Sequence, residues 1–292
     1  MKRVIFVILI SLFLGNVIWP QSPEIDINKI DSILDEILFK KPKIKNPSPI
    51  AHLLYWGTSY DNKTFYAGRE VGVGQYSISG QLFYFNSLGF YIGGGGAWYS
   101  QLDPRYNNTI ISAGYSNSLP NHKSLRYRAS YSRFFFSNND YDPTYTGSIN
   151  AGATYQTDWI GTRLDYSLHT GNAYSSQISW DVYSKITLLK FGTFNKIRFE
   201  PEISLFFGSE TVEYERYSFL TQSDKNPAIY KVTDEIFGLM NTQIRLPLDI
   251  TYKGFDIELG YNINLPYSHN NSITYDNTGY FSVSLGYALS IF

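Results

Sequence analysis

The sequence predicts an all-β protein: an up-and-down antiparallel transmembrane β-barrel of about twelve strands, preceded by a signal peptide and a short amphipathic helix. Three observations predict it. From residue 51 onward, apolar side chains alternate with small or polar ones, and successive side chains of a strand point to opposite faces. The connections between these stretches alternate strictly between short turns and longer, more polar loops. The last stretch, Gly279–Phe292, sets Phe281, Val283, Leu285, Tyr287, Leu289 and Ile291 on one face against Ser282, Ser284, Gly286, Ala288 and Ser290 on the other.

Composition narrows the function classes. The 292-residue chain has a formal net charge of −1 and no cysteine. Without cysteine there is no disulfide scaffold, no thiolate-held zinc or iron–sulfur site and no thiol nucleophile. A near-neutral balance argues against a nucleic-acid partner. With 26 Tyr and 20 Phe but only 17% charged residues, the chain favours β structure with much amphipathic aromatic surface. No stretch after the N-terminus is long and apolar enough for a membrane-spanning helix.

The elements follow in order. Lys2 and Arg3 precede an apolar run from Val4 to about Trp19, the layout of a secretory signal peptide over residues 1–22. Residues 23–50 form a periplasmic segment. Within it Ile27, Ile30, Ile33, Leu34, Ile37 and Leu38 recur at helical spacing, predicting an amphipathic helix over about 26–39. Asp26, Asp31 and Asp35 in its first half, with Lys40 and Lys41 after its end, suit the helix dipole. This helix can plug the barrel, lie beneath it or contact a periplasmic partner. Pro42, Pro47 and Pro49 then make a stiff linker.

Residues 51–292 form the barrel. Alternation predicts strands near 51–60, 75–86, 88–100, 107–117, 124–136, 145–157, 160–170, 176–190, 196–208, 235–250, 253–265 and 279–291. An even count is what single-chain bacterial barrels have. The short connections lie near 86–87, 118–123, 157–159, 191–195 and 252. The longer ones lie at 61–74, 101–106, 137–144, 171–175, 209–234 and 266–278. Short turns on the periplasmic rim and long loops outside place both termini in the periplasm.

Over residues 254–265 one face holds Phe255, Ile257, Leu259, Tyr261, Ile263 and Leu265. The other holds Gly254, Asp256, Glu258, Gly260, Asn262 and Asn264. Across the strands the second face is dominated by Gly, Ser and Asn, which suits a crowded lumen. The apolar face, with Trp98, Tyr166 and Trp180, then becomes the lipid band with its aromatic girdles.

Signal peptide, about twelve alternating strands, unequal connections and a terminal Phe together resemble the outer-membrane β-barrel proteins of Gram-negative bacteria, over residues 51–292. The resemblance implies an outer-membrane location, with membrane lipid and lipopolysaccharide as surroundings. Arg133, high on the lipid face, is placed to reach lipopolysaccharide phosphate. Phe292 departs from the family pattern, because it falls out of phase with the apolar stripe ending at Ile291. Pores, enzymes, adhesins and structural barrels all share these features, so the resemblance leaves the activity open.

The candidate site is a lumen charge cluster in the periplasmic half: Arg126, Arg128, Arg163, Asp165, Lys185, Arg198, Glu200, Glu202, Arg245, Asp249, Asp256 and Glu258. Unpaired charges in a confined lumen are costly, so these must be paired or wet. One reading is a salt-bridge network that closes the lower barrel. The other is a narrow constriction whose transverse field selects small polar solutes. Gly93–Gly96 has no following helix or Lys-Ser/Thr to make a phosphate cradle, and reads as room for a large neighbour or a bend.

An enzymatic reading rests on four histidines. His52 lies at the barrel entry, His122 in a periplasmic turn and His269 in an outer loop. His169 shares an inward face with Ser167, Asp165 and Arg163, whereas chemistry on lipid wants an outward His beside a Ser. No pair has metal-ligand spacing. Glu200 and Glu202 share a face and could act as an acid–base pair, but Arg198 beside them favours a structural one. The connection 209–234 is the longest and is expected to be a lid or a ligand-capturing loop. The sequence therefore points to a narrow passive pore or closed structural barrel, with no cofactor, no metal and no covalent chemistry. A lipid-acting hydrolase and a surface adhesin are the alternatives.

Overall fold

The structure is a computed structural model that describes residues 51–66, 69–70, 74–102, 105–137, 143–191, 195–218, 228–268 and 274–291. The expected signal peptide, the helix at 26–39, the linker and Phe292 lie outside the described residues.

Twelve strands form the barrel: β1 (His52–Asp61), β2 (Ser77–Asn86), β3 (Phe90–Tyr99), β4 (Tyr106–Leu119), β5 (His122–Phe136), β6 (Tyr145–Gln156), β7 (Ile160–Gly171), β8 (Ser175–Ser184, resuming as Ile186–Lys190), β9 (Lys196–Phe199, resuming as Glu202–Ser218), β10 (Ala228–Tyr252), β11 (Phe255–Pro266) and β12 (Thr278–Ile291). The paired breaks in β8 and β9 have one cause. Pro201 has no N–H to donate to the ladder. Its carbonyl still accepts from the Ser184 N–H at 3.0 Å, which carries the register across the gap.

Each strand pairs antiparallel with its sequence neighbours. β12 then pairs with β1, from His52 opposite Ile291 to Asp61 opposite Ser282, and the sheet closes. Closure satisfies every strand edge, which is the condition for crossing lipid with strands. Both barrel ends, His52 and Ile291, lie at the rim that carries the short turns.

One expected loop is a correction. Residues 209–234 are mostly strand: the ladder between β9 and β10 continues from Ser209 opposite Phe237 to Ser218 opposite Ala228. β8 stays with β9 only to Gly208, and β11 stays with β10 only to Asn241. β9 and β10 therefore leave the barrel as a two-stranded ribbon. A ribbon clear of the membrane needs no apolar face, so its polar composition carries no strand signal.

The faces are inverted relative to a soluble protein. Leu82, Ile92, Ile111, Ile149, Leu164, Trp180, Ile203, Leu259 and Val283 are exposed on the outside. Arg126, Arg163, Asp181, Glu202, Asn241, Asn262 and Asn264 are buried inside. An apolar belt on so many strands is stable only against lipid. Among the described residues no helix is long and apolar enough to cross a membrane, and the strands do the crossing.

A second correction concerns the lumen, which is not uniformly small and polar. On β1, β2 and β3 the inward side chains are Leu53, Tyr55, Phe83, Phe85 and Tyr91, packed into one buried cluster. Ring centroids of Phe83 and Phe85 lie 5.9 Å apart, and Tyr91 lies 5.9 Å from Phe85. Glycines opposite supply the space. A Cβ on Gly93 would run into the Phe83 ring, and one on Gly286 into Tyr55.

Candidate functional site

The lumen divides by height and by side. In the half next to the short turns, the aromatic cluster fills the β1–β3 side. The facing arc, β5 to β11, carries charge. Alternation puts Arg128 on β5, Arg163 and Asp165 on β7, Glu202 on β9, Arg245 on β10 and Glu258 on β11 all inward.

These residues join into one chain of ion pairs. Arg128 contacts Asp165 at 2.5 Å. Arg163 reaches Asp165 at 3.4 Å, Asp181 at 2.7 Å and Glu202 at 3.2 Å. Arg245 links Glu202 at 3.4 Å to Glu258 at 3.1 Å. Arg163 is the hub and is only 5% exposed. Its guanidinium also lies over the Tyr183 ring, 5.6 Å from the centroid, and Lys185 approaches the same ring at 5.5 Å.

The remaining candidates sit nearer the turns. Arg198 Nε contacts Glu200 Oε1 at 2.9 Å as a charge contact without hydrogen-bond alignment. Asp256 accepts from Thr251 Oγ1 at 2.8 Å. Asp249 stands in register with Arg198 on one side and Glu258 on the other. Arg126, buried, stands between Ser118 and Thr154.

Asp181 belongs to the network and was not among the sequence candidates. The signal was available: Trp180 and Val182 both face out, so the residue between them faces in. The aromatic cluster was missed for a different reason. On β2 both faces carry large apolar residues, so alternation alone gives no inside there.

Towards the loop end the lumen is lined by hydroxyls and amides. Ser112 and Ser132 share a hydrogen bond at 2.6 Å, as do Ser59 and Ser79 at 2.6 Å. Asn150 donates to Ser148 at 3.2 Å and to Ser130 at 3.3 Å. The connection after β1 folds back over this end. Phe65, in a small ribbon of Phe65–Tyr66 with Arg69–Glu70, stacks on the lumen residue Tyr280 at 4.9 Å.

A closed antiparallel barrel of twelve strands with an apolar exterior and a polar, charged interior defines the fold class. The fold is a transmembrane-type β-barrel. No protein-family model and no curated protein matches the chain. Among solved structures it is similar to an outer membrane channel from Pseudomonas putida F1, at 10% identity and TM-score 0.43, covering 86% of this chain and 99% of that one. It is also similar to LpxR from Salmonella typhimurium, at 13% identity and TM-score 0.41, covering 80% and 99%. A third is OpdL of Pseudomonas aeruginosa, at 10% identity and TM-score 0.29, covering 84% and 99%. At these identities the likeness is one of fold and not of site.

The histidines are scattered by the fold. His52 pairs with the Tyr84 hydroxyl at 2.5 Å by the turn-end rim. His122 opens β5, and His269 lies outside the described residues. His169 is four residues from Asp165 along β7, a distance of about 13 Å at the strand rise. Its ring packs against Tyr145, with centroids 5.6 Å apart. Asp165 is engaged by Arg128 and Arg163, so it does not orient that imidazole. Among the described residues no group of three His, Asp or Glu is arranged to hold a metal ion.

Proposed function

We propose that the protein is a passive outer-membrane barrel with a narrow lumen, constricted in its periplasmic half by the charge network on one arc and the aromatic cluster on the facing one. On this reading the short turns and both barrel ends face the periplasm and the β9–β10 ribbon faces outward. The observation that carries it is the burial of groups on both sides of the lumen at one level, Arg163 at 5% and Phe83 at 0% exposed. In a wide aqueous bore both would be wet. The network's charges are paired neighbours along one arc rather than opposed across open water, so they fill that side of the lumen as a salt-bridge network and leave a narrow path beside it. Small polar solutes are what such a path admits.

The surroundings follow from the outer face. Arg133 is exposed there, and its guanidinium donates to Thr146 Oγ1 at 2.9 Å. That leaves it able to pair with lipopolysaccharide phosphate. We further propose that the segment before β1, whose sequence predicts a helix over 26–39, meets a periplasmic partner or enters the lumen from below.

Planar-bilayer recording of the refolded protein, with and without residues 23–45, tests the reading. The expected result is small conductance steps, enlarged on truncation if the helix plugs the lumen. Large steps from the full chain overturn the constriction. Silence from both forms overturns the pore and leaves a structural barrel.

A further inference from the structure

The second half of β8, Ile186–Lys190, runs past the end of its neighbour β7. The register between the two strands ends at Ser184 opposite Ile160, and the Lys185 N–H then donates to the Trp159 carbonyl at 2.9 Å. Beyond that point β9 pairs with one edge of Ile186–Lys190, and among the described residues nothing pairs with the other. Higher in β8 the wall has an outside and an inside: Trp180 and Val182 are exposed, and Asp181 between them is buried. In Ile186–Lys190 all five residues are exposed. Ile186, Leu188, Leu189 and Phe191 are thus uncovered beside a free backbone edge. Lipid meets only the outer face of a barrel, so it does not account for a strand exposed on both faces. A free apolar edge is a feature that proteins cover.

The charge on this hairpin has one sign. From residue 185 to residue 198 it carries Lys185, Lys190, Lys196 and Arg198 and no carboxylate, and Lys190 stands directly opposite Lys196. The chain holds a segment of complementary chemistry. Residues 24–39 carry five carboxylates, Glu24, Asp26, Asp31, Asp35 and Glu36, against Lys29 alone. On the predicted helix Asp31 and Asp35 border the apolar stripe that runs from Ile27 to Leu38. The segment is also tethered at the right rim. β1 starts at His52 beside the short turns, with β12, β11, β10 and β9 between it and β8. Twelve strands about 4.8 Å apart and tilted by about 40° make a ring roughly 25 Å across. Residues 40–51, at ~3.1 Å each in the extended form that prolines favour, reach about 37 Å and span that ring.

We propose that residues 24–39 dock as a helix on the β8–β9 hairpin, the apolar stripe against Leu188, Leu189 and Phe191 and the Asp31–Asp35 border towards Lys190 and Lys196. The tether then crosses the mouth of the lumen from β1 to β8. Docked there, the segment closes the mouth from below without filling the lumen. The consequence for conductance rests on the narrow-pore reading, and the docking itself does not.

The chain has no cysteine, so an introduced pair reports alone. The test is oxidation of the refolded full chain in phospholipid vesicles with Ile33→Cys and Leu189→Cys, read as a gel shift that reductant reverses. This pair is expected to join within one chain about tenfold faster than either of two controls. One is Ser32→Cys with Leu189→Cys, on the polar side of the helix. The other is Ile33→Cys with Leu119→Cys, on the β4–β5 hairpin of the same rim. Lys190→Glu is expected to slow the joining several-fold, most at low salt. Circular dichroism and heat-shifted gel mobility report folding, and Leu188→Cys replaces Leu189→Cys if that variant fails to fold. Equal rates for the three pairs, or an unchanged rate with Lys190→Glu, overturn the proposal. Dimers formed by Leu189→Cys alone identify a second copy as the cover and overturn it. So does quenching of a fluorescent label on Leu189→Cys by brominated phospholipid as strong as on Ile149→Cys, which identifies lipid. Selective joining in a protein silent in bilayers keeps the docking and removes the pore. Conductance without selective joining does the reverse.

Discussion

Replacing Arg163 by Met measures how dry the constriction is. The substitution keeps a long unbranched side chain and deletes the charge that sits 2.7 Å from Asp181, 3.2 Å from Glu202 and 3.4 Å from Asp165. Two magnitudes compete. If water fills this level of the lumen, each pair behaves like a surface salt bridge and the loss is about 0–1 kcal/mol. If packing shields the pairs from the water of the lumen, three carboxylates are left without their shared cation, and breaking a buried pair costs about 3–5 kcal/mol. Burial of Arg163 at 5% and Asp181 at 4% selects the larger figure. The assay is urea unfolding of the barrel in phospholipid vesicles, followed by tryptophan fluorescence, since Trp56 and Trp180 lie in the lipid-facing belt. The network also predicts non-additivity. Adding Glu202→Gln removes one stranded carboxylate, so the double variant should be less destabilised than the sum by about 0.5–3 kcal/mol. A loss below about 1 kcal/mol for Arg163→Met, or strict additivity of the pair, refutes the shielded network.

Two further predictions test the placement of faces. Gly93→Val drives a side chain into the Leu82 carbonyl and the Phe83 ring, so it should cost about 1–3 kcal/mol as an overpacked interior does. Phe83→Ala in the same chain should leave the double variant less destabilised in vesicle unfolding than the sum of the two single changes, and strict additivity would put the two residues out of contact. Ile149→Lys places a charge on the exposed, lipid-facing row of β6 and should cost about 2–4 kcal/mol near the bilayer midplane. The same substitution should have little effect on folding in detergent, and an equal loss in both media would deny that this face meets lipid.

How much was legible in the sequence depended on whether a strand has two unlike faces. On β11 and β12 the inward residues are small or polar apart from the Tyr280 ring, the outward ones are apolar apart from Gly279, and both strands appear within one or two residues of their expected limits. On β2, Phe83 and Phe85 face in while Leu82 faces out. The period is there, but hydrophobicity cannot say which row is inside. The ribbon at 209–237 failed for the opposite reason, because beyond the membrane neither face has to be apolar. Asp181 could have been read from its outward neighbours. The pairing of Arg163 with three carboxylates from three strands could not, because it depends on cross-strand register and not on spacing along the chain.

The sequence by itself determined the architecture: a two-residue period sustained over twelve stretches, with alternating short and long connections, has few solutions other than a closed up-and-down sheet. It also determined that charge enters the lumen near one rim. Only the tertiary structure decided which charges meet, that an aromatic cluster faces them, and that Phe65 stacks on Tyr280 at the other end. Strand alternation is a local property, set by the direction of successive Cβ atoms. Contacts across a lumen are set by barrel closure, stagger and side-chain volume, and these become defined only when β12 pairs with β1.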